Sequence, residues 1–242
     1  MSNAGARYDV VVIGGGNAGL CAAFTARELG ARVLVLERAP RALRGGNSRH
    51  TRNLRCAHAA PTELLTDAYS EEELLADLER ANEGETDEAL ARLVAARSAE
   101  CVPWMAALGA RFQTALRGTL QLSRTNAFFL GGGTALMNTY YAAAETLGID
   151  VRYDAEVTGL AIRDGTFESA NVRSSGATDE VRANAVVVAA GGFEANLDWL
   201  REAWGDAALN FIVRGTPYNT GTLLRALLDA GAEPIGDPRE CH

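Results

Sequence analysis

Tyr8-Asp9-Val10-Val11-Val12-Ile13-Gly14-Gly15-Gly16-Asn17-Ala18-Gly19 opens the stretch that decides the fold, and Arg32-Val33-Leu34-Val35-Leu36-Glu37 closes it. The continuous apolar run at 8–13 predicts a parallel strand buried on both faces. Residues 18–29 are alanine-rich and end at Gly30, which predicts a helix with a glycine stop. Residues 32–37 read as a second strand, so 8–37 is one βαβ unit. Gly14, Gly16 and Gly19 stand in the order G-x-G-x-x-G, with Gly15, Asn17 and Ala18 between them. Each glycine has a purpose: a tight turn at Gly14, backbone approach to a pyrophosphate at Gly16, close packing of helix on strand at Gly19. The helix N-terminus then offers N–H groups and a positive dipole end to phosphates. Glu37, at the end of the second strand, is placed to accept hydrogen bonds from a ribose. The unit therefore predicts a bound dinucleotide.

The residues beyond it favour FAD over NAD. Residues 38–60 form a long irregular segment holding a second glycine pair, Gly45-Gly46-Asn47-Ser48, which lets backbone pass close to a flat ring. A late strand at 185–190 ends in Ala189-Ala190-Gly191-Gly192, a strand-plus-glycine element that a plain NAD dehydrogenase does not need. Between them, 62–109 read as helical, with apolar residues at helical spacing over 71–80 and 87–108, and Pro103 is predicted to kink or break the second helix. Gly131-Gly132-Gly133 precede a helix over 134–147. Residues 151–172 are β-rich, with Asp164-Gly165 as a hairpin turn. After Phe193 the pattern changes to helix and loop with tryptophans, and a domain boundary is placed there. The fold class is α/β. A Rossmann-like FAD-binding domain (1–192) carries a mostly helical insertion (62–126), and 193–242 begin a capping domain.

Composition narrows the function. The chain has 242 residues, 48% of them hydrophobic, enough for a sizeable core. A net charge of −8 argues against nucleic-acid binding. No apolar stretch is long enough to span a bilayer, and no signal peptide is read at the N-terminus. Cys21, Cys56, Cys101 and Cys241 form no CxxC pair and no metal-ligand spacing, so reduced thiols in a cytoplasmic protein, with no metal, are expected. All 23 basic residues are arginine, which excludes Schiff-base and P-loop chemistry. Within 38–55 stand Arg38, Arg41, Arg44, Arg49, Arg52 and Arg55, with His50 and no acidic residue. That reads either as an exposed solvated run or as an anion-binding wall, since guanidinium forks suit carboxylates. Some of these arginines, Arg38 among them, would serve the FAD pyrophosphate.

Taken together these motifs resemble the flavoprotein family of fumarate reductases and succinate dehydrogenases. The likeness covers most of the chain. It is most specific in Gly45-Gly46-Asn47-Ser48-Arg49-His50-Thr51-Arg52-Asn53-Leu54-Arg55 and in Arg124-Thr125-Asn126-Ala127-Phe128-Phe129, which look most like members that oxidise tricarballylate. The resemblance implies a FAD-dependent dehydrogenase that takes tricarballylate to cis-aconitate, with a small polycarboxylate substrate and an unidentified electron acceptor. It implies that residues 45–48 run along the flavin, that 131–134 form a nearby glycine turn, and that Val157 contacts adenine through its backbone. Ala190, Gly191 and Gly192 would lie near the ADP half. Thr216-Pro217-Tyr218-Asn219-Thr220-Gly221 would be a turn near the cofactor that opens a helix. His242 stands where the family places a substrate-carboxylate histidine, and Arg49, Arg52 and Arg55 are the other substrate candidates. His50 would approach the flavin, and His58 reads as a loop residue. A ketosteroid dehydrogenase relative, or a flavin-binding module without catalysis, are the competing readings. Relatives of this family are considerably longer, so the chain is expected to lack part of the cap, the proton-handling arginine and a return strand. It would then be inactive alone and prone to oligomerise through uncovered sheet surface.

Overall fold

The computed structural model describes residues 8–116 and 121–239. The chain divides into two units, residues 1–48 with 144–242, and residues 49–143.

The first unit is built on a six-stranded mixed sheet. Its strands are β1 (Tyr8–Ile13), β2 (Val33–Leu36), β5 (Asp150–Arg152), β6 (Glu156–Arg163), β7 (Thr166–Ser174) and β8 (Ala177–Val188), in the order β5-β2-β1-β8-β7-β6. β5, β2, β1 and the second half of β8 run parallel. β8 is longer than the expected strand at 185–190. Its first half pairs antiparallel with β7 at residues 177–182, and its second half pairs with β1 from Ala183 to Val188. One strand thus joins a parallel dinucleotide sheet to an antiparallel meander. The β6–β7 turn is made by Asp164 (φ +50°) and Gly165 (φ +72°). Both central residues are left-handed, as the tight hairpin turn that matches strand twist requires.

The apolar run at 8–13 is explained by burial on both faces. Val11 and Ile13 join Leu34, Leu36, Val157, Val172 and Leu223 in one core. Val12, Val33 and Val35 alternate to the other face and are also buried. That face is covered by α1 (Asn17–Glu28), whose Leu20, Ala23 and Phe24 are fully buried. Residues 193–239 carry α5 (Leu197–Trp204) and α6 (Thr222–Asp229). Leu223 of α6 enters the same core as the sheet, so this region, expected to begin a capping domain, packs within the first unit.

The second unit holds α2 (Glu71–Ala81), α3 (Glu88–Ala107), α4 (Gly132–Thr146, largely in this unit) and a two-stranded antiparallel ribbon of β3 (Asn53–Arg55) and β4 (Asn126–Phe128). The two stretches most specific in the sequence likeness are therefore hydrogen-bonded to each other. Helix begins later than residue 62. Ser70 caps α2 by accepting from the Glu73 N–H at 3.2 Å, and residues 62–65 turn on the Thr62 hydroxyl. Residues 108–116 and 121–126 hold no α-helix. Pro103 does not break α3. The helix buries Ala95 and Ser98 before the proline and Met105 after it, so packing carries it across the missing hydrogen bond.

Candidate functional site

The first unit has a cleft of about 280 Å3 at the C-terminal ends of β1, β2 and β8. Of the residues singled out above, Gly14, Gly15, Gly16, Asn17, Ala18, Glu37, Arg38, Gly46, Asn47, Ser48, Val157, Ala190, Gly191, Asn219 and Gly221 line it. Gly19 and Gly45 lie behind its wall, and Gly192 lines a separate groove. Ala189 also lines the cleft, and sequence reasoning missed Ala155, Glu156, Thr222 and Leu224, which share the wall with Thr216, Tyr218 and Thr220 of the turn before α6.

The three fingerprint glycines are not alike. Gly14 has φ +101°, and a Cβ there would lie 2.2 Å from the Ala189 carbonyl oxygen. A Cβ on Gly19 would lie 1.9 Å from the Gly14 carbonyl oxygen. The fold itself demands glycine at both. Gly16 has φ −75° and ψ −175°, which any residue adopts, and a Cβ would meet nothing closer than the Ser48 hydroxyl at 3.5 Å. The protein has room for a side chain at Gly16, and that room is the cleft. The residue that needs to be glycine only for a ligand's sake sits where a phosphate would approach backbone.

Glu37 is buried at 6% exposure, and its carboxylate faces backbone. It accepts from the N–H groups of Gly15 (3.2 Å), Ala39 (2.8 Å) and Gly45 (3.3 Å). It thereby ties the fingerprint loop to the second glycine loop. The expected ribose acceptor lines the cleft, and in the structure it also braces the two loops. Ser48 does related work: its hydroxyl accepts from the Asn17 N–H at 2.9 Å, so one of the helix N-terminal donors expected to face phosphate is held by the loop. Arg38 donates to the Tyr218 carbonyl (3.0 Å) and the Thr220 hydroxyl (2.5 Å), and pairs with Glu156 at 3.0 Å. Its guanidinium fastens the turn before α6 to the sheet.

The substrate candidates separate on inspection. In the second unit, Arg55 pairs with Asp77 at 3.3 Å and stands 5.9 Å over the Tyr69 ring. Arg124 stands 5.6 Å from the same ring and grips Glu73 through two bonds of 2.7 Å. The Tyr69 hydroxyl donates to Asp77 at 2.7 Å. That bond and the arginines beside it hold the Asp77 carboxyl below its usual range, while burial and the same bond push Tyr69 up to about 12. Arg55 is thus part of a structural cluster. Arg49 gives its carbonyl to the Thr134 hydroxyl, and the Thr51 carbonyl accepts from Gly133, so the 131–134 turn holds this loop. Arg52 is exposed and forms no ion pair among the described residues. His50 is exposed, and His58 pairs with Tyr69 in an isolated antiparallel β-bridge. His242 lies outside the described residues. Cys21, Cys56 and Cys101 are free thiols, and burial pushes Cys56 up to about 11. Among the described residues no side-chain group could hold a metal, and no helix is long and apolar enough to cross a membrane.

Comparison with known proteins agrees with this architecture. A family model for an FAD binding domain matches residues 9–241. The chain is 29% identical over 232 residues to the fumarate reductase (cytochrome) of Shewanella frigidimarina, covering 92% of this chain and 40% of that protein. Among solved structures, 3-ketosteroid-delta4-(5alpha)-dehydrogenase from Rhodococcus jostii RHA1 superposes with a TM-score of 0.83 at 24% identity, over 95% of this chain and 55% of that one. The open conformation of a flavocytochrome c3 fumarate reductase superposes with a TM-score of 0.80 at 25% identity, over 95% and 41%. This chain belongs to the FAD-binding family of the fumarate reductase and succinate dehydrogenase flavoproteins, and its cofactor is FAD. It spans about two-fifths of the length of the fumarate reductase it matches. The cleft fits the cofactor, since the vacant side-chain space at Gly16 opens on the N-terminus of α1, where a pyrophosphate is stabilised.

Proposed function

We propose that the chain is the FAD-binding portion of an oxidoreductase that exchanges hydride with a carbon of a polycarboxylic acid, tricarballylate to cis-aconitate being the reaction favoured. The observation that carries the cofactor half of this reading is Gly16, a glycine with ordinary backbone angles and room for a side chain, set in the cleft wall. Residues 14–18 would meet the pyrophosphate through backbone, and Val157 would take the adenine end. FAD, when bound, supplies the hydride acceptor. The protein residues bind and orient it: Glu37 holds the two glycine loops in register, and Arg38 holds the turn at 218–220. Arg52, exposed and without an ion pair among the described residues, would serve a substrate carboxylate, and the likeness to a fumarate reductase supports an acid substrate.

A second reading keeps the cofactor and changes the substrate to an apolar one. It is favoured by a groove of about 1230 Å3 in the first unit, lined by Phe193, Trp199, Trp204, Phe211 and Leu227, and by the fold shared with a ketosteroid dehydrogenase. One experiment separates the two. The purified protein is titrated with FAD, and the flavin absorption spectrum is then followed as tricarballylate, fumarate or a 3-ketosteroid is added. Perturbation by the carboxylates alone supports the first reading, and perturbation by the steroid alone replaces it with the second. Absence of FAD binding removes both.

A further inference from the structure

Three elements that line the cofactor cleft converge on one carboxylate that none of the roles above uses. The Glu194 Oε1 atom accepts from the Asn219 Nδ2 at 2.7 Å and from the Asn47 Nδ2. Asn47 lies on the glycine loop after β2, Asn219 lies on the turn before α6, and Glu194 follows the end of β8. Asn47 is fixed a second time, because its Oδ1 accepts from the N–H of buried Thr216 at 2.8 Å. Each amide thus points its nitrogen at the same oxygen.

The surrounding glycines are shaped to admit these side chains. A Cβ on Gly191 would lie 2.6 Å from the Asn219 amide, a Cβ on Gly192 would lie 2.8 Å from Glu194 Oε2, and a Cβ on Gly215 would lie 2.7 Å from Asn47 Oδ1. Every member of the trio occupies the space one glycine leaves. The Gly191-Gly192 pair therefore has a reason within the protein, beside any it has toward the cofactor.

We propose that Glu194 is a positioning residue that clamps the residue 45–48 loop and the 216–221 turn against the end of β8, and so sets the width of the FAD cleft. The clamp works through acceptor geometry: a single oxygen receives both donors. This rests on the reading that the cleft takes FAD.

The test uses Glu194→Ala, Glu194→Gln and Gly192→Ala, the last of which displaces the carboxylate without altering it. FAD affinity is read by flavin titration, and the exchange rate of the Thr216 N–H is read by hydrogen exchange in the absence of FAD. Glu194→Ala and Gly192→Ala should each weaken FAD binding about tenfold and speed Thr216 exchange by a similar factor. Glu194→Gln should stay within about threefold of the parent on both, because its amide oxygen still accepts from both asparagines. Unchanged affinity and exchange in both Glu194→Ala and Gly192→Ala would overturn the clamp, and so would a glutamine variant as impaired as the alanine one. If the parent protein fails to bind FAD, the cofactor reading falls, and Thr216 exchange still decides whether the clamp exists.

Discussion

Replacing Glu37 separates a cofactor ligand from a brace. If the carboxylate served only a ribose, its loss would weaken FAD binding and leave the cofactor-free protein as stable as before. The structure requires otherwise. Three backbone N–H groups, of Gly15, Ala39 and Gly45, converge on a side chain that is 6% exposed. A buried N–H left without an acceptor costs about 1–3 kcal/mol. Two of the three bonds are long, at 3.2 and 3.3 Å, and water can enter the space left by alanine, so the low end applies. Glu37→Ala should therefore destabilise the cofactor-free protein by about 3–5 kcal/mol. In a protein of this size each kcal/mol lowers Tm by roughly 2–4 °C, so a fall of roughly 10 °C is expected. Glu37→Gln should cost less, about 1–3 kcal/mol. Its amide oxygen can face Gly15 and Gly45, while its NH2 group is set against the Ala39 N–H. Urea unfolding of the cofactor-free proteins measures both. An alanine variant as stable as the parent but impaired in FAD binding would refute the brace and leave Glu37 a ligand of the ribose alone.

Three further outcomes are expected. Gly16→Ala should leave unfolding within about 1 kcal/mol of the parent, since its Cβ meets no clash, yet weaken FAD at least about tenfold; Gly14→Ala, with φ +101° and a 2.2 Å clash, should impair folding itself, and equal stability of the two by denaturant titration would contradict this. The Tyr69 hydroxyl ionises near 10 when unfolded and only at about 12 when folded, so its contribution is complete below pH 10 and is lost as pH rises through 12; unfolding curves at pH 9 and pH 11.5 should diverge less in Tyr69→Phe than in the parent. Arg52→Ala should leave stability unchanged and reduce the response of the flavin spectrum to tricarballylate, whereas Arg55→Ala should lower stability by up to about 1 kcal/mol with little effect on that response, and the reverse pattern would exchange their roles.

The parts of the fold that were legible in the sequence are those set by near neighbours along the chain. The strand–glycine–helix order at 8–29 follows from an apolar run meeting a G-x-G-x-x-G spacing, and both lie within one βαβ unit. Asp164-Gly165 specifies its hairpin because both residues tolerate positive φ. The helices at 71–81 and 88–107 were legible in their apolar spacing, which marks 71–80 and 87–108, while the residues around them, read as helical from 62, are not helical. Ser70, a cap three residues before Glu73, marks where the first of these helices starts. Of the two outcomes expected at Pro103, a kink or a break, the break does not occur, because the residues on either side are buried.

What a side chain does depends on partners that spacing cannot reveal, and the arginine loop shows why. Counted locally, residues 38–55 are a cluster of cations with no acid among them, which suggests an anion-binding wall. The acids come from elsewhere: Glu156 reaches Arg38 from β6, and Asp77 reaches Arg55 from α2. Once these pairs form, the positive charge available to a ligand is smaller than the local count implies, because each paired guanidinium already has an anion at bonding distance. The same logic applies to Glu194. In sequence it is one acid after a glycine pair, with nothing to distinguish it from its neighbours. Folding brings it to an asparagine 147 residues away and to another 25 residues on, and only then does it become the point where three cleft elements meet. Local pattern can specify the phosphate loop because its ligand contacts are backbone and need only glycine and a helix end. It cannot specify the walls around that loop, whose positions are set by side-chain contacts between segments distant in the chain.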